Sequence, residues 1–132
     1  MSRLRPYRAG DAWLVSLRAE QAGDRMSFYD TAEGPAMTFE RDGAVIACAG
    51  LARVWEGRFL AWALFSDLQP RDWVEVRRAM QPVIKAQRGR IEATAAFPAA
   101  ERFLVGLGFE REGIMRSYHN GRDHALYAQV NP

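Results

Sequence analysis

The chain has one cysteine, Cys48, one lysine, Lys85, and two histidines, His119 and His124. A lone thiol excludes an intramolecular disulfide. With two histidines at no recognised ligand spacing, it also argues against a Cys/His metal set and a Cys–His nucleophile pair, so no metal is expected. No stretch approaches the ~18 apolar residues of a membrane span, and the segment Met1 to Gly10 is too charged for a signal peptide. A cytoplasmic protein without a membrane partner is the expectation. Five serines, Ser2, Ser16, Ser27, Ser66 and Ser117, lie outside any nucleophile-elbow context, which leaves serine hydrolysis without support. Nor is there a phosphate-cradling glycine loop, because Gly106-x-Gly108 falls at a helix end rather than a helix start.

What is present is ordinary globular composition: 48% apolar and 26% charged residues over 132 positions, which predicts one domain covering 1–132. Eighteen basic residues against sixteen acidic give +2. The two signs are interleaved instead of gathered in a stripe, so nucleic-acid binding is disfavoured.

Leu4 to Tyr7 reads as an edge strand. Asp11 is placed to cap a helix carrying Trp13, Leu14 and Leu17 before Gly23 ends it, with a helical turn around Met26 to Tyr29. Ala36 to Arg41 alternates, Asp42-Gly43 signals a type I′ turn, Ala44 to Val54 is a nearly continuous apolar strand, and Glu56-Gly57 turns the chain into Phe59 to Phe65. Pro70 opens a helix with Trp73, Val76, Met80 and Ile84 on one face, and Pro82 predicts a kink or break near Arg78 to Gln81. Arg90 to Ala96 is a strand placed to pair in parallel with Phe59 to Phe65 through a right-handed crossover. Pro98 starts a further helix with Phe103, Leu104 and Leu107 inward, ended by Gly108. Phe109 to Tyr118 and Asp123 to Val130 form a last hairpin around Asn120-Gly121. The fold class is α+β, a mixed sheet with one parallel pair.

The segment Ala100-Glu101-Arg102-Phe103-Leu104-Val105-Gly106-Leu107-Gly108-Phe109-Glu110, falling at this place in the element order, resembles the last helix and "LGF" turn of the GNAT acyltransferase superfamily. The resemblance covers nearly the whole chain in topology and about the last third in sequence. It implies a GNAT-like acyl-CoA N-acyltransferase fold with acetyl-CoA laid between the fourth and fifth strands. Its carbonyl would be polarised by a backbone N–H near Leu64 or Phe65, and its pyrophosphate would rest on Ser66, Gln69, Arg71 and Asp72 at the following helix N-terminus. The acceptor would be an amine on a small molecule or a protein.

Three parts of that pattern are missing. The superfamily's Gln/Arg-x-x-Gly-x-Gly/Ala, started at Gln69, meets Asp72 and Val74 where small residues belong, and Pro70 lacks a donor; Arg71 offsets the added negative charge in part. The asparagine that often contacts the pantetheine arm is replaced by Phe97, and the tyrosine that often protonates the leaving thiolate by Leu104. The cofactor site therefore reads as eroded, with acetyl-CoA weakly bound or lost. Short proteins of this kind occur among tailed-phage genes, some of them internal virion components. A non-catalytic protein of virion or assembly, working through protein partners, is the alternative to an N-acetyltransferase.

Glu92 on the fifth strand and Tyr118 at the end of the sixth are the candidate catalytic residues, Glu92 as general base and Tyr118 on the acceptor side. Trp55, Trp62 and Trp73 are expected to cluster around the meander and the long helix, with Trp62 a candidate wall of an acyl slot. Arg77, Arg78, Lys85 and Arg88 read as a solvated helix face, and Cys48 as inert core.

Overall fold

A computed structural model describes residues 2–132. Its strands are β1 (Ser2–Pro6), β2 (Ala36–Arg41), β3 (Ala44–Trp55), β4 (Arg58–Phe65), β5 (Gly89–Ala95), β6 (Glu110–His119) and β7 (Arg122–Asn131). They form one sheet in the order β1-β2-β3-β4-β5-β7-β6. The pair β4–β5 is parallel and the other pairs are antiparallel, the mixed sheet expected from the sequence. The helices are α1 (Phe28–Thr31), α2 (Pro70–Lys85) and α3 (Pro98–Gly106). None is long and apolar enough to cross a membrane.

Local chemistry explains the turns. Asp42-Gly43 and Asn120-Gly121 hold positive φ at both central residues, as a type I′ hairpin requires. At the end of α3, the Phe109 N–H bonds the Leu104 carbonyl and the Gly108 N–H bonds the Val105 carbonyl, both at 3.0 Å. That pair is a Schellman motif, and Gly108 supplies its left-handed residue at φ 96°.

One sheet face carries Ala47, Ala49, Phe65, Ile91, Ala93, Ala95, Ala125 and Tyr127, packed against Val76, Met80 and Ile84 of α2 and Leu104 and Leu107 of α3. The alanines let two helices approach the strands closely. On the other face, the segment from Ala12 to Tyr29 lies over Leu64 and Trp62.

Three expectations are corrected. Residues 11–23 form no helix but two single 3-10 turns, Asp11–Trp13 and Ala19–Gln21, with Trp13 and Leu14 exposed. Asp11 does not cap; its buried carboxylate takes two bonds from Arg5 at 2.7 and 3.1 Å, one from the Thr38 hydroxyl at 2.7 Å and one from the Arg8 N–H at 2.8 Å. A long-range ion pair thus overrides the local capping pattern. Pro82 does not break α2, which runs on to Lys85. The Arg78 carbonyl loses its donor, but Arg78 is exposed and open to solvent, while Met80 and Ile84 hold both turns on the sheet. The tryptophans are also dispersed. Trp55 is exposed beside Arg58, Trp62 stacks with Tyr29, and Trp73 packs on Phe65.

Candidate functional site

β4 and β5 pair over three positions only, Arg58↔Arg90, Phe59↔Ile91 and Leu60↔Glu92. Gly89 pins this closed end: it sits at φ 106°, a Cβ there would lie 2.3 Å from the Gly57 carbonyl oxygen, and the Arg90 N–H donates to that oxygen at 2.8 Å. Beyond Leu60 each strand follows its other neighbour, β4 along β3 and β5 along β7. The strands part around a cavity of about 160 Å³, whose lining includes Tyr29, Trp62, Phe65, Phe97, Leu104 and His124.

The edge of β4 facing this gap is not free. The Gln21 carboxamide donates to the Ala63 carbonyl at 2.9 Å and accepts from the Phe65 N–H at 2.7 Å, while the Arg18 N–H donates to the Phe65 carbonyl at 2.9 Å. The Arg18 guanidinium lies 4.8 Å from the Phe97 ring centroid and 5.6 Å from that of Trp73. Residues 18–21 therefore strap the mouth between the ends of β4 and β5 and satisfy the backbone groups a strand-like ligand would use.

On the sheet face opposite the long helices, His124 is buried. Its Nδ1 lies 3.2 Å from the Thr94 hydroxyl, and its Nε2 has no hydrogen-bond partner among the described residues. With the proton on Nδ1, Nε2 is a free acceptor. Burial lowers the pKa of this imidazole, so it stays neutral at physiological pH. Trp62 Nε1 is likewise buried without a partner. Nearby, Asp24 faces Arg122 at 3.3 Å and His119 at 3.4 Å, yet burial still raises its carboxyl pKa.

The candidate residues read from the sequence fall in three places. Tyr118 is exposed with its ring 5.2 Å from that of His124, beside the cavity lining. Glu92 lies at the closed end, where β4 and β5 still pair, and Arg58 at 2.6 Å and Arg90 at 2.5 Å hold it; the Arg58 hydrogen bonds lead in keeping its carboxyl below the usual range. It is absent from the cavity lining, and an ionised carboxylate gripped by two guanidiniums is a poor base. Leu64 is buried under Ala12 and Tyr29, away from the long helices, and Phe65 presents its ring to the cavity.

At the start of α2, Ser66 bonds the Ile46 carbonyl through both its N–H and its hydroxyl. The Gln69 N–H donates to Asp72 at 3.0 Å, Asp72 is buried and held by Arg41 Nε at 2.7 Å, and Arg71 is exposed. The carboxylate of Asp72 thus occupies the helix N-terminus where an anion would bind. Phe97 and Leu104, which stand where the resemblance implies an asparagine and a tyrosine, both line the cavity.

Sequence reading missed Gln21 and Asp24, and it weighed His124 only as a metal ligand or as the partner of a cysteine nucleophile. Gln21 carries no local signal, since its partners lie more than forty residues away. His124 was findable: a histidine in an otherwise apolar inward strand position calls for a stated partner.

No protein-family model and no curated protein sequence matches the chain. Solved structures do. A ribosomal-protein-alanine acetyltransferase from Vibrio fischeri aligns over 98% of this chain and 93% of its own, with TM-score 0.70 and 14% identity. A GNAT-family acetyltransferase from Bacillus cereus aligns over 100% and 99%, with TM-score 0.68 and 12% identity. A spermidine N-acetyltransferase chimera from Vibrio cholerae and hSSAT covers 98% and 95%, with TM-score 0.67 and 16% identity. A seven-stranded sheet opening between a parallel β4 and β5, matched over nearly the full length of these enzymes, gives this chain the fold of the GNAT superfamily.

Proposed function

We propose that the chain is an N-acyltransferase moving an acetyl group from acetyl-CoA to an amine. The observation that carries this reading is the cavity between the diverging strands, lined by a neutral, buried histidine with a free ring nitrogen. Acetyl-CoA would supply an acetyl thioester, whose acyl group exchanges sulfur for the amine nitrogen. Such transfer requires little beyond positioning and removal of a proton from the amine. His124 Nε2 is the group suited to take that proton. Asp24, beside His119 and Arg122, carries the nearby negative charge, and Tyr118 stands beside the imidazole at the cavity's edge.

The residues fit the acyl end of the donor better than its nucleotide end. The cavity accepts a short acyl arm, and the Phe65 N–H is the donor for its carbonyl once Gln21 moves aside. The helix start offers a pyrophosphate the Asp72 carboxylate, a proline without N–H, and one exposed cation, Arg71. Those filled backbone seats favour a second reading, a non-catalytic GNAT-fold protein with protein partners, such as a phage virion or assembly component. Calorimetric titration with acetyl-CoA, followed by a free-thiol assay with a panel of amines, separates the two. Binding with amine-dependent thiol release supports the transferase, and absence of both supports the scaffold.

A further inference from the structure

The Ala63 carbonyl, the Phe65 N–H and the Phe65 carbonyl, on the open edge of β4, are all filled by one segment, residues 18–21. They are the groups an extended, amide-bearing ligand would engage between β4 and β5. The segment that fills them is lightly rooted. Gln21, which is polar, is buried, while its neighbours from Ser16 to Asp24 are exposed or half-buried, and their regular structure is the single 3-10 turn Ala19–Gln21. Few apolar contacts and a handful of hydrogen bonds mark a segment that opens locally, at less cost than unfolding the sheet.

The turn between β6 and β7 holds this segment from its other side. Arg122 donates through one guanidinium nitrogen to the Glu20 carbonyl and through another to Asp24 Oδ1, the latter at 3.3 Å. His119 Nε2 lies 3.4 Å from the same carboxylate oxygen. Gly23 sits between these contacts at φ 86°, and a Cβ there would lie 2.8 Å from Asn120 Nδ2, so the chain is pressed against the turn. Arg122 thus grips the segment on both sides of Gln21 in sequence.

We propose that residues 18–24 are an autoinhibitory strap, a built-in occupant of the donor's seat on β4, and that Arg122 is the latch that keeps it closed. Acetyl-CoA enters when the strap lifts. With the closed form dominant, its apparent affinity is the intrinsic one scaled by the open fraction. That the admitted ligand donates its acetyl group to an amine rests on the transferase reading above; that the latch controls the edge of β4 does not.

The test couples two measurements on the full chain: hydrogen exchange at the Arg18 and Phe65 amides, both spent on strap contacts, and calorimetric titration with acetyl-CoA. Arg122→Ala removes the latch and leaves the strap and β4 unaltered. It should speed exchange at both amides about tenfold, the scale of a lost charged hydrogen bond, with the Leu51 and Arg90 amides unchanged. Acetyl-CoA affinity should rise by the same factor. Arg116→Ala, which removes an exposed arginine from the same hairpin, should alter neither. The unmodified protein gives a check that needs no variant to fold. Saturating acetyl-CoA should speed exchange at the Arg18 amide, because the ligand expels that donor from the Phe65 carbonyl.

Unchanged exchange at Phe65 in Arg122→Ala overturns the latch, and faster exchange with unchanged affinity overturns the inhibition. Acetyl-CoA bound while the Arg18 amide stays protected overturns the strap. No acetyl-CoA binding by either protein overturns both the strap and the transferase. Tighter acetyl-CoA binding in Arg122→Ala without transfer to any amine leaves the strap standing and removes the transferase. Acetyl transfer by the unmodified protein, with an acetyl-CoA affinity that Arg122→Ala does not change, does the reverse.

Discussion

Gln21 and Phe65, forty-four positions apart in sequence, are joined by a 2.7 Å hydrogen bond from the Phe65 N–H to the Gln21 carboxamide oxygen. The same carboxamide bonds Ala63, so one side chain does for β4 what a neighbouring strand would do. Removing it exposes a buried N–H and a buried carbonyl at once. Gln21→Ala is expected to lower stability by about 1–3 kcal/mol, measured by urea unfolding. It should also raise acetyl-CoA affinity, because the edge of β4 becomes available. Unchanged or weaker acetyl-CoA binding in a folded Gln21→Ala protein would show that the strap is not what limits the donor.

The Arg5–Asp11 pair governs acid stability. Burial by itself would raise the Asp11 pKa, but the bonds from Arg5, the Arg8 N–H and the Thr38 hydroxyl outweigh it, and the net shift is downward. A carboxyl whose folded pKa lies below its unfolded value contributes stability that is complete above the unfolded value, about 3.9, and lost as pH falls through the folded one. Asp11→Asn leaves Arg5 with only Glu40 as an acidic partner and should cost about 3–5 kcal/mol near neutrality. Its unfolding midpoint should then depend less on pH below about pH 4 than that of the unmodified protein. Parallel acid profiles would remove Asp11 from the transition.

Asp72 is a structural cap more than a missing glycine. Asp72→Gly frees the Gln69 N–H for an anion but strands Arg41, which then keeps only the exposed Glu75. A stability loss of about 1–3 kcal/mol is expected, and pairing it with Arg41→Gln should recover part of that loss. A strictly additive double mutant, read from urea midpoints, would mean the two side chains do not interact.

Gly89 has no tolerated replacement. Alanine would put its Cβ 2.3 Å from the Gly57 carbonyl oxygen at a φ of 106°. Gly89→Ala should cost about 2 kcal/mol or more and loosen the three-residue parallel pairing, seen as faster amide exchange at Arg90. Gly43→Ala, at a turn with open space around it, should cost less.

Sequence by itself determined the elements whose signals are local. Apolar alternation marked β2, a nearly continuous apolar run marked β3, the spacing of Val76, Met80 and Ile84 marked α2, and the Leu107-Gly108-Phe109 turn fixed how α3 ends and β6 begins. That Asp72 and Val74 stand where the resemblance implies small residues was equally legible, because a phosphate loop is a contiguous pattern. Only the tertiary structure decided the rest. Asp11 looks like a helix cap until Arg5 and Thr38 are brought to it from β1 and β2. Glu92 looks like a base until β4 delivers Arg58. Gln21 and His124 acquire meaning only when β4 and β5 separate and leave a gap between them. Periodicity reports which face of an element is apolar, whereas a site is assembled from residues far apart in the chain, whose meeting depends on strand order and on where two strands stop pairing.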